Sequence, residues 1–354
     1  MLNSKKTKIV ATLGPATADP EVIKNMMIAG VNVFRINFSH ADYDDVRERI
    51  EMIRRINQEN GFHTAILADL QGPKLRVGVM EEGTVVTPGD KVTFVTGEPF
   101  VGNKERAYMN YENSPADVRS GERILLDDGK LIFEVLSSNG ENEVEAVVIQ
   151  GGPFSSKKGV NLPNTKVSLP ALTEKDIRDA LFAITQEVDW FALSFVRHPE
   201  DIQDLKDLIE ENAGHKIPII AKIEKPEALK NIDKIMAACD GIMVARGDLG
   251  VEIPAEEVPL IQKELVHKAK AHHIPVIIAT QMMESMINSL TPTRAEVNDV
   301  GNSVLDGADA VMLSGETSVG KYPVQVIEQM SRIIRSVEDS DIIKVPLVTP
   351  FIRS

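Results

Sequence analysis

The sequence has little cysteine, no long apolar run and no excess of basic charge. Its 354 residues include one cysteine, Cys239, so an internal disulfide framework is excluded. No run approaches the ~18 apolar residues of a membrane span, and the N-terminus MLNSKKTKIV lacks the long apolar core of a secretory signal. A net charge of -14 argues against nucleic acid or an anionic membrane as the main partner. These absences predict a soluble, reduced, cytoplasmic protein.

The composition is that of an ordinary globular protein, with 43% hydrophobic and 26% charged residues. The length allows one large domain plus a smaller one. Because the chain is acidic overall, any anionic substrate must meet a locally cationic pocket.

Eight short apolar runs have the composition of buried strands, and amphipathic stretches of helical period lie between most of them. Strands that alternate with helices pair in parallel, and strands that are apolar on both faces favour a closed barrel over an open sheet. The predicted fold class is therefore α/β, a (β/α)8 TIM barrel. The predicted strands are 7–13, 31–39, 64–70, 190–196, 217–224, 241–246, 274–280 and 308–313. The predicted helices include 44–57, 174–186, 200–210, 226–238 and 322–339.

The alternation breaks once, between the third and fourth strands. Residues 72–169 carry short β-type stretches separated by the turn motifs TPGD, DDGK and SSNGEN. We therefore predict a barrel domain formed by residues 1–71 and 170–354, with an inserted small all-β lid, a β-barrel of residues 72–169. The residues outside the insertion are close in number to the ~250 typical of such a barrel.

Barrel enzymes carry their chemistry at the C-terminal ends of the strands, and here those ends collect charged and hydroxyl side chains. Lys222 and Glu224 lie two apart on one strand, so they point to the same face. One pocket with several cations and carboxylates suits phosphoryl transfer, which needs charge neutralisation. The other strand-end candidates are Arg35, Asn37, Ser39, Asp69, Arg246, Gly247, Asp248, Thr280, Gln281, Ser314 and Glu316.

Each of these residues also has a structural alternative. Arg35, Asn37 and Ser39 would then be solvent-exposed polar residues at the end of a strand, with no role in a site. Lys222 and Glu224 would form a structural ion pair, and Asp248 would cap the helix that follows it. His40 has no metal-ligand spacing, which favours a surface position or one behind the site.

The common nucleotide motifs do not fit this sequence. Residues 315–321, GETSVGK, nearly match the P-loop, but Tyr322 stands where Ser or Thr would bind magnesium. No GxGxxG is present, and we interpret 315–321 as a loop leading into a helix. Any nucleotide must therefore be held by scattered side chains and a metal.

Residues 217–229, IPIIAKIEKPEAL, resemble the active-site motif of the pyruvate kinase family at every position. Further family motifs follow in family order along the chain: FRINFSH at 34–40, SKKGVNLP at 156–163, VARGDLGVEIP at 244–254, ATQMMESM at 279–286, PTRAE at 292–296 and MLSGET at 312–317. The resemblance implies a glycolytic kinase that transfers the phosphoryl group of phosphoenolpyruvate to ADP and then protonates the enolate to pyruvate, giving ATP.

The resemblance also implies a role for each matched residue. Glu224 and Asp248 would hold Mg²⁺ or Mn²⁺, and Lys222 would stabilise the phosphoryl group in flight. Ser314 and Glu316 would join a proton relay through water. The other residues that would bind substrate or nucleotide are Arg35, Asn37, His40, Arg76, Lys158, Ser194, Gly247 and Thr280; among them Arg35 and Arg76 would act in catalysis, and Thr280 would lie beside the enolpyruvate.

One stretch departs from the commonest form of the family. Many members carry threonine, lysine and glutamate in the segment that corresponds to 69–74, where this chain has Leu70, Gln71 and Lys74. The glutamate accompanies a requirement for potassium bound near the positions of Asn37, Ser39 and Asp69. A lysine supplies that positive charge covalently, so we expect an enzyme that works without potassium.

The second departure lies at the C-terminus, where the chain stops within the apolar stretch IIKVPLVTPFIRS. Family members usually continue into an α/β regulatory domain that carries effector binding and part of the tetramer contact. Its absence puts sugar-phosphate regulation and a tetramer in doubt, and we expect a homo-oligomer formed through the barrel. Ile343, Leu347 and Phe351 would have to pack elsewhere, or the chain is a fragment.

Two rival functions remain at this point. One is a different phosphoenolpyruvate-using barrel enzyme, a lyase or mutase, although a lid with Arg76 and Lys158 has no purpose without a second phosphorylated substrate. The other is a catalytically silent protein that binds phosphoenolpyruvate. The presence of Lys222, Glu224 and Asp248 speaks against the silent protein.

Overall fold

The computed structural model describes residues 5–340, apart from the side chain of His40. In chain order the strands are β1 (Lys8–Thr12), β2 (Val33–Asn37), β3 (Ala65–Asp69), β4 (Val85–Val86), β5 (Lys91–Val95), β6 (Arg106–Tyr108), β7 (Arg123–Leu126), β8 (Leu131–Ser138), β9 (Glu143–Gln150), β10 (Gly152–Pro153), β11 (Val160–Asn161), β12 (Trp190–Leu193), β13 (Ile219–Ile223), β14 (Gly241–Ala245), β15 (Val276–Ala279) and β16 (Ala310–Leu313).

The α-helices, in chain order, are α1 (Pro20–Ala29), α2 (Tyr43–Asn60), α3 (Ser114–Asp117), α4 (Glu174–Thr185), α5 (Pro199–Asn212), α6 (Pro226–Lys230), α7 (Ile232–Ala238), α8 (Arg246–Glu252), α9 (Val258–Ala271), α10 (Arg294–Asp306), α11 (Gly315–Ser318) and α12 (Pro323–Glu338). Short 3-10 turns cover Pro15–Thr17, Phe38–His40, Ala255–Glu257 and Glu284–Ile287. Within residues 5–340, no helix is both long and apolar enough to cross a membrane.

Eight of the strands close into a parallel barrel, in the order β1-β16-β15-β14-β13-β12-β3-β2. All eight strands of this barrel come from the eight predicted runs, and every pairing is parallel, as between Lys222 and Met243. The predicted (β/α)8 class is therefore confirmed. The strands are shorter than the predicted runs by one to four residues, because both polar and apolar residues at the ends of the runs belong to loops, turns or helix starts.

The barrel strands bury both faces, which explains their continuous apolar composition. On β13, Ile220 belongs to the cluster inside the barrel, together with residues such as Met243 and Ile277. Its neighbours Ile219 and Ala221 pack outward against the helices. Because side chains alternate along a strand, Lys222 shares the inward face with Ile220.

The second strand ends earlier than the sequence pattern predicts. We expected it to run to Ser39, but β2 ends at Asn37 and Phe38–His40 forms a 3-10 turn. The Asn37 side chain accepts a hydrogen bond from the Ser39 backbone at 3.1 Å, which stabilises the turn. Arg35 and Ser39 therefore do not lie on one continuous strand face.

The predicted helix 226–238 is two helices, α6 and α7, separated by Asn231. The Asn231 side-chain amide donates to the backbone carbonyls of Glu227 and Arg197. Asn competes with the helix for backbone hydrogen bonds, which accounts for the break. Residues 315–321, predicted as a loop, begin with the short helix α11 before the chain enters α12.

The last predicted helix is confirmed as α12. Of its apolar positions at helical spacing, Val326, Met330, Ile333 and Ile334 are buried and Val337 is half-buried. The predictions for Ile343, Leu347 and Phe351 lie outside the described residues.

The chain divides into two compact units, one holding the barrel and a second formed by Pro73–Pro170 and Asp248–Glu256. The sequence pattern does not predict that 248–256 groups with the insertion.

Within the second unit, a six-stranded sheet has the order β11-β7-β8-β9-β5-β6, and a separate two-stranded sheet pairs β10 with β4. The insertion is thus built mainly of β-sheet, as predicted. Its main sheet has two edge strands, β11 and β6, and does not close into the predicted β-barrel. Aromatic rings of Phe94, Phe133 and Phe154 pack in its core.

Candidate active site

Lys222 lies near the C-terminal end of β13, facing into the barrel. Its Nζ donates a hydrogen bond to Ser194 Oγ at 2.8 Å and lies 3.0 Å from Glu224 Oε1 and 3.4 Å from Asp69 Oδ1. The Lys222 side chain is 12% exposed, and the two carboxylates are buried. The structure therefore brings together a cation and two acidic residues from two strand ends, those of β13 and β3.

Glu224 follows β13 and is held by the neighbouring strand end. Its Oε2 accepts a hydrogen bond from the Phe195 backbone N–H at 2.8 Å. Phe195 has a φ of +55°, which non-glycine residues rarely adopt. Ser194 Oγ donates to the Leu70 carbonyl at 2.7 Å while it accepts from Lys222. The turn after β12 thus holds both members of the Lys222–Glu224 pair.

Gly72 is required for this turn to pack. Its φ is +68°, and an added Cβ would lie 2.8 Å from a ring carbon of Phe195 and 3.0 Å from the Ser194 Cβ. Its N–H donates to the buried carboxylate of Asp176, the N3 residue of α4. Gly72 was not among the predicted site residues, because a lone glycine at the end of a strand has no distinguishing signal in sequence.

Arg35 and Asp69 form a second ion pair on neighbouring strands. Arg35 Nε lies 2.6 Å from Asp69 Oδ2, and Arg35 Nη1 donates to Thr12 Oγ1 at 3.1 Å. Burial acts to raise the pKa of Asp69, but the charges of Lys222 and Arg35 outweigh it, so the pKa of Asp69 lies below its usual value. Asp69 therefore remains ionised beside both cations at neutral pH.

Thr280 follows β15 and has a φ of +72°. Its Oγ1 accepts a hydrogen bond from the Gly247 N–H at 2.7 Å. Gly247 belongs to the first turn of α8, which begins at Arg246. The N–H of Gly247, a residue predicted to bind substrate or nucleotide, is therefore paired with Thr280 here.

Ser314 and Glu316 lie after β16, as predicted, and Glu316 is buried. The Glu316 carboxylate accepts from the backbone N–H groups of Ser314 at 2.7 Å and Met283 at 3.1 Å. Glu316 thus ties the chain after β15 to the chain after β16.

Two further predicted residues are Asn37, the last residue of β2, and His40, in the turn that follows. Asn37 is exposed, and its side-chain oxygen is engaged with the Ser39 N–H. The prediction for the His40 side chain lies outside the described residues.

Three predicted residues belong to the second compact unit. Arg76 Nη1 donates to the Lys157 carbonyl at 2.9 Å, and Lys158 Nζ lies 3.1 Å from Asp127 Oδ1. Asp248 is half-buried, and within residues 5–340 its carboxylate has no hydrogen bond or ion pair. The predicted convergence of these residues on Lys222 stays a prediction.

The donor chemistry suits a divalent cation that is shared with substrate. Within residues 5–340, no three His, Cys, Asp or Glu side chains are grouped as a complete metal site. Magnesium is commonly held by one or two carboxylates together with substrate phosphates, so a complete protein cage is not needed. Glu224 and Asp248 provide carboxylate oxygens of the required kind.

Nearly the whole chain matches known proteins of one family. Residues 4–327 match the family described as "Pyruvate kinase, barrel domain". The chain belongs to the pyruvate kinase family. It is 49% identical over 334 residues to a pyruvate kinase of Corynebacterium efficiens, covering 94% of this chain and 70% of that protein. It is 48% identical over 344 residues to a pyruvate kinase of Mycobacterium intracellulare, covering 97% and 72%.

The relatives also include pyruvate kinase 2 of Synechocystis. The two chains are 49% identical over 344 residues, which cover 96% of this chain and 58% of that protein. At this identity and coverage, the function of the chain is that of a pyruvate kinase, a phosphotransferase of glycolysis. The family implies phosphoenolpyruvate and ADP as substrates and generally uses a divalent metal.

Proposed function

We propose that Lys222 stabilises the phosphoryl group as it passes from phosphoenolpyruvate to ADP. The observation that supports this role is the largely buried ammonium of Lys222, held by Ser194 and flanked by Glu224 and Asp69. Catalysis of phosphoryl transfer consists mostly of positioning and neutralisation of charge, so a fixed cation at the transfer point has a direct use.

The charges of the barrel network imply that further cations take part. Arg35 and Lys222 are balanced by Asp69 and Glu224, so these four residues are neutral as a set. Two polyanionic substrates add several negative charges. We assign the additional positive charge to a divalent metal and to Arg76 and Lys158, which would contact ADP.

Glu224 and Asp248 are the residues that would hold Mg²⁺ or Mn²⁺. When bound, the ion neutralises phosphate oxygens of both substrates. Glu224 is suited to this role because the Phe195 N–H fixes its carboxylate in place. Asp248 is suited because its half-buried carboxylate has no partner within the described residues.

Arg35 is assigned to the transferred phosphate. Its Nε and Nη1 are occupied by Asp69 and Thr12, whereas Nη2 has no partner within residues 5–340. The two occupied nitrogens hold the guanidinium plane in one orientation, which leaves a directed donor for a phosphate oxygen.

Thr280 and Ser314 are assigned to the enolpyruvate and to its protonation. Thr280 would lie beside the enolate, and the Ser314 hydroxyl would deliver a proton through water. Glu316, whose two oxygens accept backbone N–H groups, would fix the position of Ser314. Asn37, His40, Ser194 and Gly247 complete the proposed substrate and nucleotide contacts.

We also propose that this enzyme does not require potassium, because Lys74 replaces the glutamate that accompanies potassium in other family members. The contacts of Asp69 support this assignment, since Arg35 and Lys222 already lie beside its two oxygens. Asn37, another expected potassium ligand, uses its side-chain oxygen to accept from Ser39.

The remaining proposals concern the assembly and its location. Large apolar side chains are exposed on the barrel unit at Leu260, Leu290 and Val319, and burying such side chains at an interface would remove apolar surface from water. We propose a homo-oligomer formed through the barrel, which sedimentation at several protein concentrations tests. We place the enzyme in the cytoplasm, on the basis of the glycolytic reaction of its family.

The test of the function is an assay of both products. Protein is mixed with magnesium, phosphoenolpyruvate and ADP, and ATP and pyruvate are measured. We expect equal amounts of the two. Consumption of phosphoenolpyruvate without formation of ATP would indicate a lyase or mutase, and binding of phosphoenolpyruvate in calorimetry without its consumption would indicate a silent binding protein.

A further inference from the structure

Arg246 binds the backbone at the end of the neighbouring strand β15. Its Nη2 donates to the Thr280 carbonyl at 2.7 Å, and its Nε donates to the Ala279 carbonyl at 3.3 Å. Its Nη1 donates to Asp299 Oδ1 of α10 at 2.7 Å. The Arg246 side chain is 15% exposed, so water competes little for these bonds.

The backbone held in this way is strained. Thr280 has a φ of +72° and Gln281 a φ of +54°, two consecutive non-glycine residues in the left-handed region. A β-branched residue such as threonine is rare there, and such conformations persist only where surrounding contacts determine them. The contacts on Thr280 are those of Arg246 to its carbonyl and of the Gly247 N–H to its Oγ1.

We propose that Arg246 is a positioning residue for Thr280. In this role, the guanidinium holds the Ala279 and Thr280 carbonyls in the strained turn, and Asp299 fixes the guanidinium from α10. The proposal rests on the proposed place of Thr280 beside the enolpyruvate. A reacting group displaced by about 1 Å can lose on the order of 100-fold in rate, so the turn geometry sets the turnover number.

The test is Arg246→Met, which keeps an unbranched side chain and removes the donors. We expect kcat to fall by roughly 10- to 100-fold, while KM for ADP stays within about 2-fold. Exchange of the pyruvate methyl hydrogens with deuterated water, followed by NMR, reports the reverse of enolate protonation and should fall by the same factor. Arg246→Lys should recover part of kcat, because one ammonium replaces only some of the bonds.

Arg54 provides a matched control. Its Nη2 donates to the carbonyl of Glu187 at 2.7 Å and lies 3.1 Å from Asp189 Oδ2. Glu187 also has a positive φ, +53°, but it precedes β12, at the opposite end of the barrel strands from Thr280. Arg54→Met removes the same kinds of contact, so we expect a similar loss of stability with kcat retained.

A double variant tests the role of strain. Glycine adopts a positive φ readily, so adding Gln281→Gly to Arg246→Met should restore part of kcat without restoring the guanidinium. The proposal is overturned if Arg246→Met turns over as fast as Arg54→Met, or if its loss appears only in KM. If Arg246→Met does not fold, the same comparison is decided by Arg246→Lys. A wild-type chain that makes neither product would instead refute the proposed function.

Discussion

The ammonium of Lys222 lies 3.0 Å from the carboxylate of Glu224, in a strand that is otherwise apolar. The Glu224 side chain is 1% exposed. Removing two charges from water costs free energy that their attraction only partly returns, so a buried ion pair is a weak source of stability. A cation and a carboxylate that we propose to bind metal, held at this distance, have a clear use when a phosphoryl group passes between two substrates.

Lys222→Met should nearly abolish turnover. At an effective dielectric of 20, one charge pair at 4 Å is worth ~4 kcal/mol, which corresponds to about three decades in rate. Binding of Mn²⁺, followed by electron paramagnetic resonance of the free ion, should persist because Glu224 and Asp248 remain. Near-normal turnover in this variant would contradict the role of Lys222.

The control for this variant is Lys263→Met. Lys263 pairs with Asp306 on the surface and is 52% exposed. It loses the same charge outside the site, so turnover should stay within about 2-fold of wild type, as expected for a surface ion pair. Circular dichroism of both variants separates loss of catalysis from loss of folding.

Potassium should not activate the wild-type enzyme. Assays in tetramethylammonium buffer free of sodium and potassium should give full activity if, as proposed, the ammonium of Lys74 supplies the electrostatic role of the ion. Lys74→Glu should create dependence on potassium, with Leu70 and Gln71 as further positions to exchange. Strong activation of the wild type by potassium chloride at constant ionic strength would refute the idea.

Gly72→Ala should destabilise the barrel and lower turnover. An alanine at φ +68° is strained, and its Cβ would press on Phe195 and Ser194, which hold Glu224 and Lys222. We expect a loss of about 1–3 kcal/mol in the free energy of unfolding, measured in urea. This packing role would be contradicted if Gly72→Ala lost less stability and less turnover than the control Gly61→Ala, which is described next.

Gly61→Ala is the control for the strained backbone. Gly61 has a similar φ of +66°, at the C-terminal cap of α2, and nothing lies within 4 Å of an added Cβ. It should lose about 1 kcal/mol through backbone strain alone and retain turnover. The difference between the two variants isolates the contact with Phe195 and Ser194.

Lys5 should make stability rise with pH. It is buried, and desolvation with the nearby charge of Lys8 lowers the pKa of Lys5 to about 7, from 10.5. Between these values the unfolded chain binds more protons than the folded chain, so stability increases as pH rises from 7 to 10.5. Lys5→Met should remove this dependence. The change that it causes in the free energy of unfolding should be more stabilising at pH 7 than at pH 9, by on the order of 2 kcal/mol.

Urea unfolding at pH 7 and pH 9 measures this effect. The exposed Lys263→Met variant should keep the pH dependence of the wild type. Equal pH dependence in wild type and Lys5→Met would show that Lys5 does not titrate in this range.

The barrel was predictable because its determinants are local and repeated. Apolar runs, helical periodicity and turn motifs identify β1, β13 and β16 from short windows of sequence. The errors fall where a single side chain redirects the backbone, as Asn37 does after β2 and Asn231 does between α6 and α7. Such hydrogen bonds compete with regular structure without changing the hydrophobic pattern.

The barrel class and the inserted β region follow from the sequence alone, as does the position of most candidate residues at strand ends, because strand alternation assigns each side chain to a face and parallel closure gathers the strand ends. Which of these residues touch depends on the tertiary structure. It showed that Asp69 lies beside two cations, that Phe195 and Gly72 support Glu224, and that Arg246 holds the strained turn at Thr280. Those contacts join residues far apart in the chain, and their distances depend on packing that no local pattern encodes.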